Sequence, residues 1–363
     1  MKKRFVLFSM LAIAACFSSC KKKEEDDSPA TTDYSHGVML ISNEGSFSSG
    51  TGTITSFDSY TKEVKQNIFE DVNHFPLGNL VQSIAVADDK AYIVVNNGQK
   101  VEVVDSKSFV TAGTITSLEQ PRYFLGINSS KGYVTQWGDG SKGELKVVDI
   151  ATHSILKTVD IGKGSDRMIK SGNYVFVCNA GGYDPVTYDP VNDSAISVID
   201  VQTDNLINRI HVGYNPAGIV MDSNGKIWVI CYGINDYNNT ANNRPGCLVK
   251  LNPTTFAVEL TLPFLSNSID MRLATNANGD KIYYQSVGSV YEMAVSATAL
   301  PSTAFINRGF YAFGYDPYAH KICGSDAGNF NSNGYVIRYD EAGALVDSFL
   351  TGIGPGNFVF MPQ

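Results

Sequence analysis

The sequence predicts an all-β fold, a seven-bladed β-propeller, on the basis of a repeat and of composition. The repeated unit is a strand that ends in Asp and is followed by a polar turn, with copies 41 to 52 residues apart. That spacing is the period of a four-stranded propeller blade. The 363 residues include 33 Gly, 19 Tyr and 19 Phe, a composition typical of many short strands and tight turns. The seven copies reach their last strand residue at Asp58, Asp105, Asp149, Asp200, Asn252, Met293 and Asp340.

Each unit predicts four strands. In the unit that starts at Asn173, the alternation of apolar and polar residues indicates strands over 174–178, 195–200 and 206–212. The sequence Asn-Pro-Ala-Gly-Ile-Val at 215–220 then opens the innermost strand of the next blade. The innermost strands are expected to begin near Ser83, Arg122, Asp166, Pro216, Ile269, Phe310 and Asn357.

The two ends of the repeat region predict how the ring closes. The first copy starts at Val38 without an innermost strand, and the last strand, 357–361, has no partners of its own. We expect this C-terminal strand to complete the N-terminal blade, which removes the open sheet edges.

The N-terminus has the pattern of a lipoprotein signal. Positive charges at Lys2, Lys3 and Arg4 precede an apolar run too short to span a membrane, and Ser18-Ser19 precede Cys20. Residues 1–19 are predicted to be the signal peptide, Cys20 the lipidation site, 20–35 a flexible tether and 36–363 the propeller. The mature protein would then be attached to a membrane only through its lipid anchor.

Charge and cysteine content bound the function further. Removal of the 19 signal residues, with three positive charges, moves the formal charge from −8 to −11. Long-range repulsion makes so acidic a chain a poor partner for nucleic acid, which we exclude as the main ligand.

Cys178 and Cys231 end apolar strands and are expected to be buried thiols, although a disulfide between Cys231 and Cys247 is a second interpretation.

The long connections are expected to gather on one face of the ring. Connections from the second to the third strand of each blade share a face, and the longest are 43–52, 137–143, 179–194, 232–246 and 326–334. They combine aromatic side chains with amides, as binding loops do. The alternative is that these side chains only hold their own loops in place. The candidate ligand-binding residues here are Phe47, Trp137, Tyr183, Tyr188, Tyr232, Tyr237, Asn238, Arg244 and Phe330.

A second candidate group lies at the starts of the innermost strands, around the axis of the ring. It consists of four arginines and one asparagine: Arg122, Arg167, Arg272, Arg308 and Asn357. Guanidinium groups at this place could donate to amide or phosphate oxygens of a ligand. Equally, Arg and Asp side chains could pair there to connect neighbouring blades.

Catalytic and metal sites are weakly indicated. The five histidines are scattered and no Ser-His-Asp set falls on one face, so we predict no enzyme and no cofactor. Asp184, Asp189 and Asp193 lie in one loop, whose alternate acidic and amide oxygens could bind a structural calcium ion, although two prolines and the missing terminal Glu depart from an EF-hand loop.

Several segments resemble known propeller families. Tyr-Val-Phe-Val-Cys-Asn at 174–179 and Gly-Tyr-Val-Thr-Gln at 132–136 are similar to the repeat of the bacterial YVTN propellers. The stretches 37–46 and 352–358 resemble a narrower group, the surface lipoprotein propellers of gut Bacteroidetes.

This resemblance implies an outer-membrane lipoprotein that faces the cell exterior and captures a corrinoid such as vitamin B12. It also implies delivery of that ligand to a TonB-dependent outer-membrane transporter. One fold serves many tasks, so two other functions stay open. These are a glycan-binding or adhesive propeller and a propeller hydrolase or lactonase.

Overall fold

The structure is a computed structural model that describes residues 32–46, 50–140, 142–184, 187, 189–268 and 270–363. The predicted signal peptide, the lipidation site Cys20 and the two candidate ligand-binding residues Phe47 and Tyr188 lie outside these residues. In the described part of the chain, no helix is long and apolar enough to cross a membrane.

The described residues form short antiparallel strands with little helix. In the first half they are β1 (Val38–Asn43), β2 (Thr53–Asp58), β3 (Val64–Lys65), β4 (Val81–Ala87), β5 (Lys90–Val95), β6 (Lys100–Asp105), β7 (Thr111–Ile115), β8 (Pro121–Asn128), β9 (Lys131–Gln136), β10 (Glu144–Asp149), β11 (Ser154–Asp160), β12 (Ser165–Ser171), β13 (Tyr174–Asn179), β14 (Gly182–Tyr183), β15 (Pro190–Val191), β16 (Ala195–Asp200) and β17 (Asn205–His211). The remainder are β18 (Pro216–Met221), β19 (Ile227–Cys231), β20 (Cys247–Leu251), β21 (Val258–Pro263), β22 (Arg272–Thr275), β23 (Lys281–Ser286), β24 (Ser289–Ala294), β25 (Phe313–Asp316), β26 (Lys321–Asp326), β27 (Asn333–Tyr339), β28 (Leu345–Ile353) and β29 (Pro355–Phe360). An α-helix, α1 (Ile68–Asn73), follows β3, and a 3₁₀ turn spans Thr240–Asn242.

These strands make seven blades, which confirms the predicted fold. Blade 1 is β29-β1-β2-β3, and blades 2 and 3 are β4 to β7 and β8 to β11. Blade 4 is β12-β13-β16-β17, with β14 and β15 as a small hairpin in its long insert, and blade 5 is β18 to β21. Blades 6 and 7 are β22 to β24 and β25 to β28. The first strands of successive blades contact one another in a closed ring, and they begin within three residues of the predicted positions.

The ring is closed as predicted, by the C-terminal strand. β29 pairs with β1 in antiparallel register, from Met39 opposite Phe360 to Asn43 opposite Pro355. Apolar side chains fill the space between neighbouring blades, as where the Tyr92 ring stacks on Phe124 with centroids 3.7 Å apart. The same packing crosses the closure, where Phe57 of blade 1 stacks on Phe349 of blade 7 at 4.0 Å. Each large side chain buried in this way contributes about 1.5–3 kcal/mol.

The aspartate of the repeat forms the turn into the outermost strand. Asp105 Oδ1 accepts the backbone N–H groups of Lys107 and Ser108 at 3.2 and 2.9 Å. Asn252 stands at the same position of blade 5, and its side-chain oxygen accepts the N–H groups of Thr254 and Thr255. The hydrogen bonds from Ser108, first among several, lower the pKa of Asp105 below its usual value.

Blade 6 departs from the predicted four strands. Met293 replaces the turn aspartate there, so no side-chain oxygen is present at that position to accept the turn's N–H groups. The sheet has three strands, and only an isolated bridge between Val290 and Ile306 replaces the fourth.

The cysteines are buried, as expected for two of them. Cys178, Cys231, Cys247 and Cys323 are all free thiols in the structure. Cys231 and Cys247 lie opposite each other on β19 and β20, but the disulfide interpretation is not realised. Burial raises the pKa of Cys178 and Cys231, so both remain protonated at neutral pH.

The repeat aspartates should make stability depend on pH. We expect Asp105→Ala to lower the free energy of unfolding by about 0.5–1 kcal/mol at neutral pH, since it removes the turn acceptor. Asp105→Asn is the matched control, because Asn252 shows that an amide oxygen serves the same turn. A carboxyl whose folded pKa is lowered stabilises the fold above its unfolded pKa, and that contribution is lost as pH falls through the folded value.

The melting temperature of Asp105→Asn should therefore fall less than that of the wild type when the pH is lowered from about 7 to about 3. Thermal denaturation followed by circular dichroism measures both variants. Equal acid sensitivity of Asp105→Asn and the wild type would contradict this role of the carboxylate.

Removal of residues 355–363 should open the ring. It exposes the hydrogen-bonding edge of β1 and the apolar cluster that contains Met39 and Ile41. We expect loss of a single cooperative melting transition and association of the protein in size-exclusion chromatography. A chain that lacks only Gln363 is the control. Monomeric behaviour and wild-type melting of the long truncation would show that closure by β29 is dispensable.

Candidate functional site

The long connections lie on one face of the ring and surround a cavity at its axis. In each blade the connection after the second strand and the one that leads to the next blade are on the same side, because all pairings are antiparallel. Five connections after second strands are long: 44–52, 137–143, 180–194, 232–246 and 327–332. Residues of the first four of these connections and the starts of the first strands enclose about 450 Å³. We call this the axial cavity. Its lining includes Glu44, Gln82, Arg122, Tyr123, Trp137, Asp166, Arg167, Tyr183, Tyr232, Asn235, Arg272 and Tyr311.

Arg122, at the start of β8, connects three blades. Its Nε donates to Asp166 Oδ2 of blade 4 at 3.1 Å, and its Nη1 donates to Gln82 Oε1 of blade 2. The guanidinium also lies 4.2 Å from the centre of the Trp137 ring. Since Asp166 is buried, this ion pair is shielded from solvent screening. The interpretation that Arg and Asp connect neighbouring blades therefore holds for Arg122.

Arg272, at the start of β22, also has a structural role. Its Nε donates to the backbone oxygen of Tyr311 at 2.8 Å, which joins blade 6 to blade 7. Its Nη1 donates to the backbone oxygen of Met271 at 3.0 Å and contacts Tyr232 Oη at 3.3 Å. Tyr232 comes from the long loop of blade 5, so this guanidinium positions an aromatic side chain of the cavity wall.

Arg167, the third residue of β12, differs from both. Its guanidinium lies 4.8 Å from the centre of the Tyr123 ring. The neighbouring Asp166 is already occupied, because Oδ1 accepts the backbone N–H of Arg167 and Oδ2 accepts Arg122. Among the residues that the structure describes, no carboxylate forms an ion pair with the Arg167 side chain.

Glu44 and Tyr311 close the cavity on the side of blades 1 and 7. Tyr311 Oη donates to Glu44 Oε1 at 2.8 Å, and the Glu44 residue is only 7% exposed. Burial raises the pKa of Glu44, although Tyr311, Arg122 and Arg272 oppose the shift. A Cβ atom at Gly356 would lie 2.6 Å from Glu44 Oε1, so a side chain at this point of β29 would displace the Glu44 carboxyl.

Three predicted aromatic side chains line the axial cavity: Trp137, Tyr183 and Tyr232. Tyr183 lies in the hairpin of blade 4 and is 48% exposed, so its ring is available at the cavity entrance. The Trp137 indole Nε1 is buried and has no hydrogen-bond acceptor among the described residues.

Three other candidates occupy the long loop of blade 5, beside a second groove that shares Pro190 and Asn192 with the axial cavity. Asn238 and Arg244 line this groove, whereas Tyr237 is 68% exposed. Arg244 Nη1 donates to the backbone oxygens of Ala241 and Asn243, so its guanidinium holds its own loop. The interpretation that such side chains fix their own loops therefore applies to Arg244.

The last three candidates have packing roles. Phe330 contacts the Tyr311 ring edge-on with centroids 5.0 Å apart. Arg308 Nη2 pairs with Asp326 at 2.7 Å, outside the residues that line the axial cavity. Asn357 Oδ1 accepts the N–H of Ile84 at 3.3 Å and so joins blade 1 to blade 2. Neither Arg308 nor Asn357 is among the residues that line the axial cavity, and their polar groups are turned to these neighbours.

The predicted calcium ligands lie in the insert of blade 4. Asp193 pairs with Arg209 at 2.6 Å and accepts the N–H of Lys163. Asp184 accepts the N–H of Thr187, and Asn238 Nδ2 contacts Asp189 at 3.5 Å. Within the described residues, no three His, Cys, Asp or Glu side chains are grouped closely enough to hold a metal ion. A calcium ion at this insert stays a prediction.

Sequence reasoning missed Gln82, Glu44 and Tyr311. Gln82 and Tyr311 precede or open first strands, as the arginines do, and could have been found by reading one residue further at each position. Glu44 follows β1 directly in Asn-Glu-Gly, where a carboxylate beside a glycine on the long-loop face was a usable signal.

Solved structures with the same fold have different activities. A quinonprotein alcohol dehydrogenase-like protein from Bacteroides thetaiotaomicron is 15% identical, with a TM-score of 0.63 over 90% of this chain and 79% of that one. The periplasmic gluconolactonase of Pseudomonas aeruginosa is 12% identical, with a TM-score of 0.60 over 90% and 99%. Apo AztD from Citrobacter koseri is 11% identical, with a TM-score of 0.52 over 89% and 96%. At these identities the likeness concerns the fold alone.

No curated protein matches the chain. A family model, described as a domain of unknown function, DUF5074, matches residues 36–344, which is nearly the whole propeller. The chain therefore belongs to the DUF5074 family.

Proposed function

We propose that this protein is a non-catalytic ligand-capture protein that binds its ligand at the axial cavity. The observation that carries the proposal is an open cavity on the long-loop face that combines aromatic rings with guanidinium donors. Such a combination of apolar area and few oriented polar groups is typical of small-molecule sites. Both carboxylates of the cavity wall are engaged, Asp166 by Arg122 and Glu44 by Tyr311, which disfavours a role as a general base.

A corrinoid is the proposed ligand, because the sequence resembles propellers that capture one. Such a molecule is wide and fringed with amides, so a cavity of about 450 Å³ would take only part of it. The remainder would lie across the long loops, where Tyr183, Tyr237 and the amides of the blade 5 insert are exposed or line a groove. Amide side chains are suited to amide ligands because they donate and accept hydrogen bonds.

Lipid anchoring at Cys20 and delivery to a TonB-dependent outer-membrane transporter belong to the same proposal. They are supported by the signal pattern before Cys20 and by the sequence resemblance. The lipid would hold the ring near the membrane surface, while the 20–35 tether allows the long-loop face to reach a partner.

A lactonase or other hydrolase is the second candidate function. It is favoured by the fold similarity to the periplasmic gluconolactonase of Pseudomonas aeruginosa. Substrate screening with and without a chelator tests it, since hydrolysis that a chelator abolishes would replace the capture proposal.

Titration with cyanocobalamin tests the proposed ligand. We expect a binding heat and a change in the visible spectrum at micromolar concentrations. Tyr183→Ala should weaken binding about tenfold, because an exposed ring at the cavity entrance is lost. Tyr60→Ala is the matched control, since Tyr60 is 94% exposed in a turn on the opposite face.

Absence of both heat and spectral change would exclude the corrinoid. Thermal stabilisation by oligosaccharides but not by cyanocobalamin would instead favour a glycan-binding propeller.

A further inference from the structure

We propose that Arg167 is the anchor of an oxyanion site in the axial cavity, which binds a phosphate-ester or carboxylate group of the ligand. This inference rests on the proposed function in one respect, that the axial cavity is where the ligand binds. It assigns different roles to arginines that the sequence places in equivalent positions.

The arginines of the propeller differ in their hydrogen-bond and ion-pair partners. Arg122, Arg209, Arg308 and Arg338 form ion pairs with carboxylates, and Arg244 and Arg272 donate to backbone oxygens. Within the described residues, the Arg167 guanidinium lies against the Tyr123 ring and forms neither an ion pair nor a side-chain hydrogen bond. A ring face attracts the positive charge but accepts the five N–H donors poorly.

The Arg167 guanidinium is only partly solvated. Arg167 is half-buried in the cavity wall, so water reaches its guanidinium only in part. A partly desolvated charge without hydrogen-bond acceptors is costly, and an anionic ligand oxygen would satisfy both charge and donors. The planar fork suits a carboxylate or phosphate, which can accept two parallel hydrogen bonds.

The residues that line the axial cavity carry more positive than negative charge. The described lining residues include three guanidinium groups, Arg122, Arg167 and Arg272, against two carboxyls, Asp166 and Glu44. The cavity thus has a surplus of positive charge, although the chain has a formal charge of −8. A local positive potential inside an acidic protein selects an anionic group at that point and leaves the remaining surface neutral or negative.

A second unsatisfied donor is present in the same cavity. The indole Nε1 of Trp137 is buried without an acceptor among the described residues, and the ring is held in place by Arg122. A buried N–H group without an acceptor is unusual in a folded protein. Because this N–H is inaccessible to solvent, it would reach a ligand oxygen only after a shift of the Trp137 ring, and the Arg167 guanidinium is the donor on which the proposed site depends.

The ligand is therefore expected to be an organic anion with a large uncharged body. Cyanocobalamin meets this description through the phosphodiester of its nucleotide loop, whereas cyanocobinamide lacks that group. Cyanocobinamide also lacks the ribose and the dimethylbenzimidazole base, so the comparison of these two corrinoids isolates the whole nucleotide loop, and the Arg167 variants isolate the anion within it. Bare inorganic phosphate tests the same site without any corrinoid.

The experiment compares wild type, Arg167→Gln, Arg167→Lys and Arg308→Gln. Arg308→Gln is the matched control, because it removes a guanidinium from the same face but outside the axial cavity. Isothermal titration measures cyanocobalamin and cyanocobinamide. Thermal denaturation in millimolar phosphate, against chloride at equal ionic strength, measures the bare anion.

We expect Arg167→Gln to weaken cyanocobalamin binding about tenfold or more, to leave cyanocobinamide binding unchanged and to abolish stabilisation by phosphate. Arg167→Lys should retain part of the effect, because it keeps the charge but loses the fork. Arg308→Gln should behave as wild type. Where Arg167→Gln does not fold, Arg167→Lys and the two corrinoids on the wild type still give the answer.

The outcomes separate this inference from the proposed ligand. If cyanocobalamin and cyanocobinamide bind wild type and Arg167→Gln equally, or if the variant weakens both corrinoids alike, the oxyanion site is overturned while capture of corrinoids stands. If no corrinoid binds but phosphate stabilises wild type and not Arg167→Gln, the oxyanion site is supported and the corrinoid is rejected as the ligand. If neither corrinoids nor phosphate act on the wild type, both are overturned.

Discussion

The pairing of β29 with β1 is the constraint on which the rest of the structure depends. It joins residues more than 300 positions apart and turns a row of seven sheets into a closed ring. Because the ring is closed, the starts of the seven first strands meet at one axis. The axial cavity, its arginines and the Glu44–Tyr311 contact all exist only at that axis.

Two arginines of the cavity wall join neighbouring blades of the ring. Arg122 ties blade 3 to blades 2 and 4, and Arg272 ties blade 6 to blade 7. Both therefore hold fixed positions without a ligand, which reduces the ordering cost of binding. The cavity thus contains two arginines with structural partners and a third, Arg167, to which we assign the proposed oxyanion site.

The fold was predictable because it repeats. Seven copies of one repeat unit predicted the blade count, and the missing partner strands at both ends predicted the closure. The site was predictable only in outline, since the role of an arginine depends on which carboxylate reaches it in three dimensions. The Asp166 carboxylate pairs with the Arg122 guanidinium and not with the guanidinium of its neighbour Arg167. Spacing along the chain does not reveal this pairing. The Glu44–Tyr311 contact spans 267 residues and has no local signature.

The close approach of Gly356 to Glu44 has a consequence for the timing of folding. Glu44 is synthesised early, but the backbone against which it rests belongs to the final strand. Domains generally fold as units while synthesis proceeds from the N-terminus, so blade 1 can be completed only after its last strand has left the ribosome. A chain whose residue 360 is still inside the exit tunnel therefore lacks part of the wall of the axial cavity.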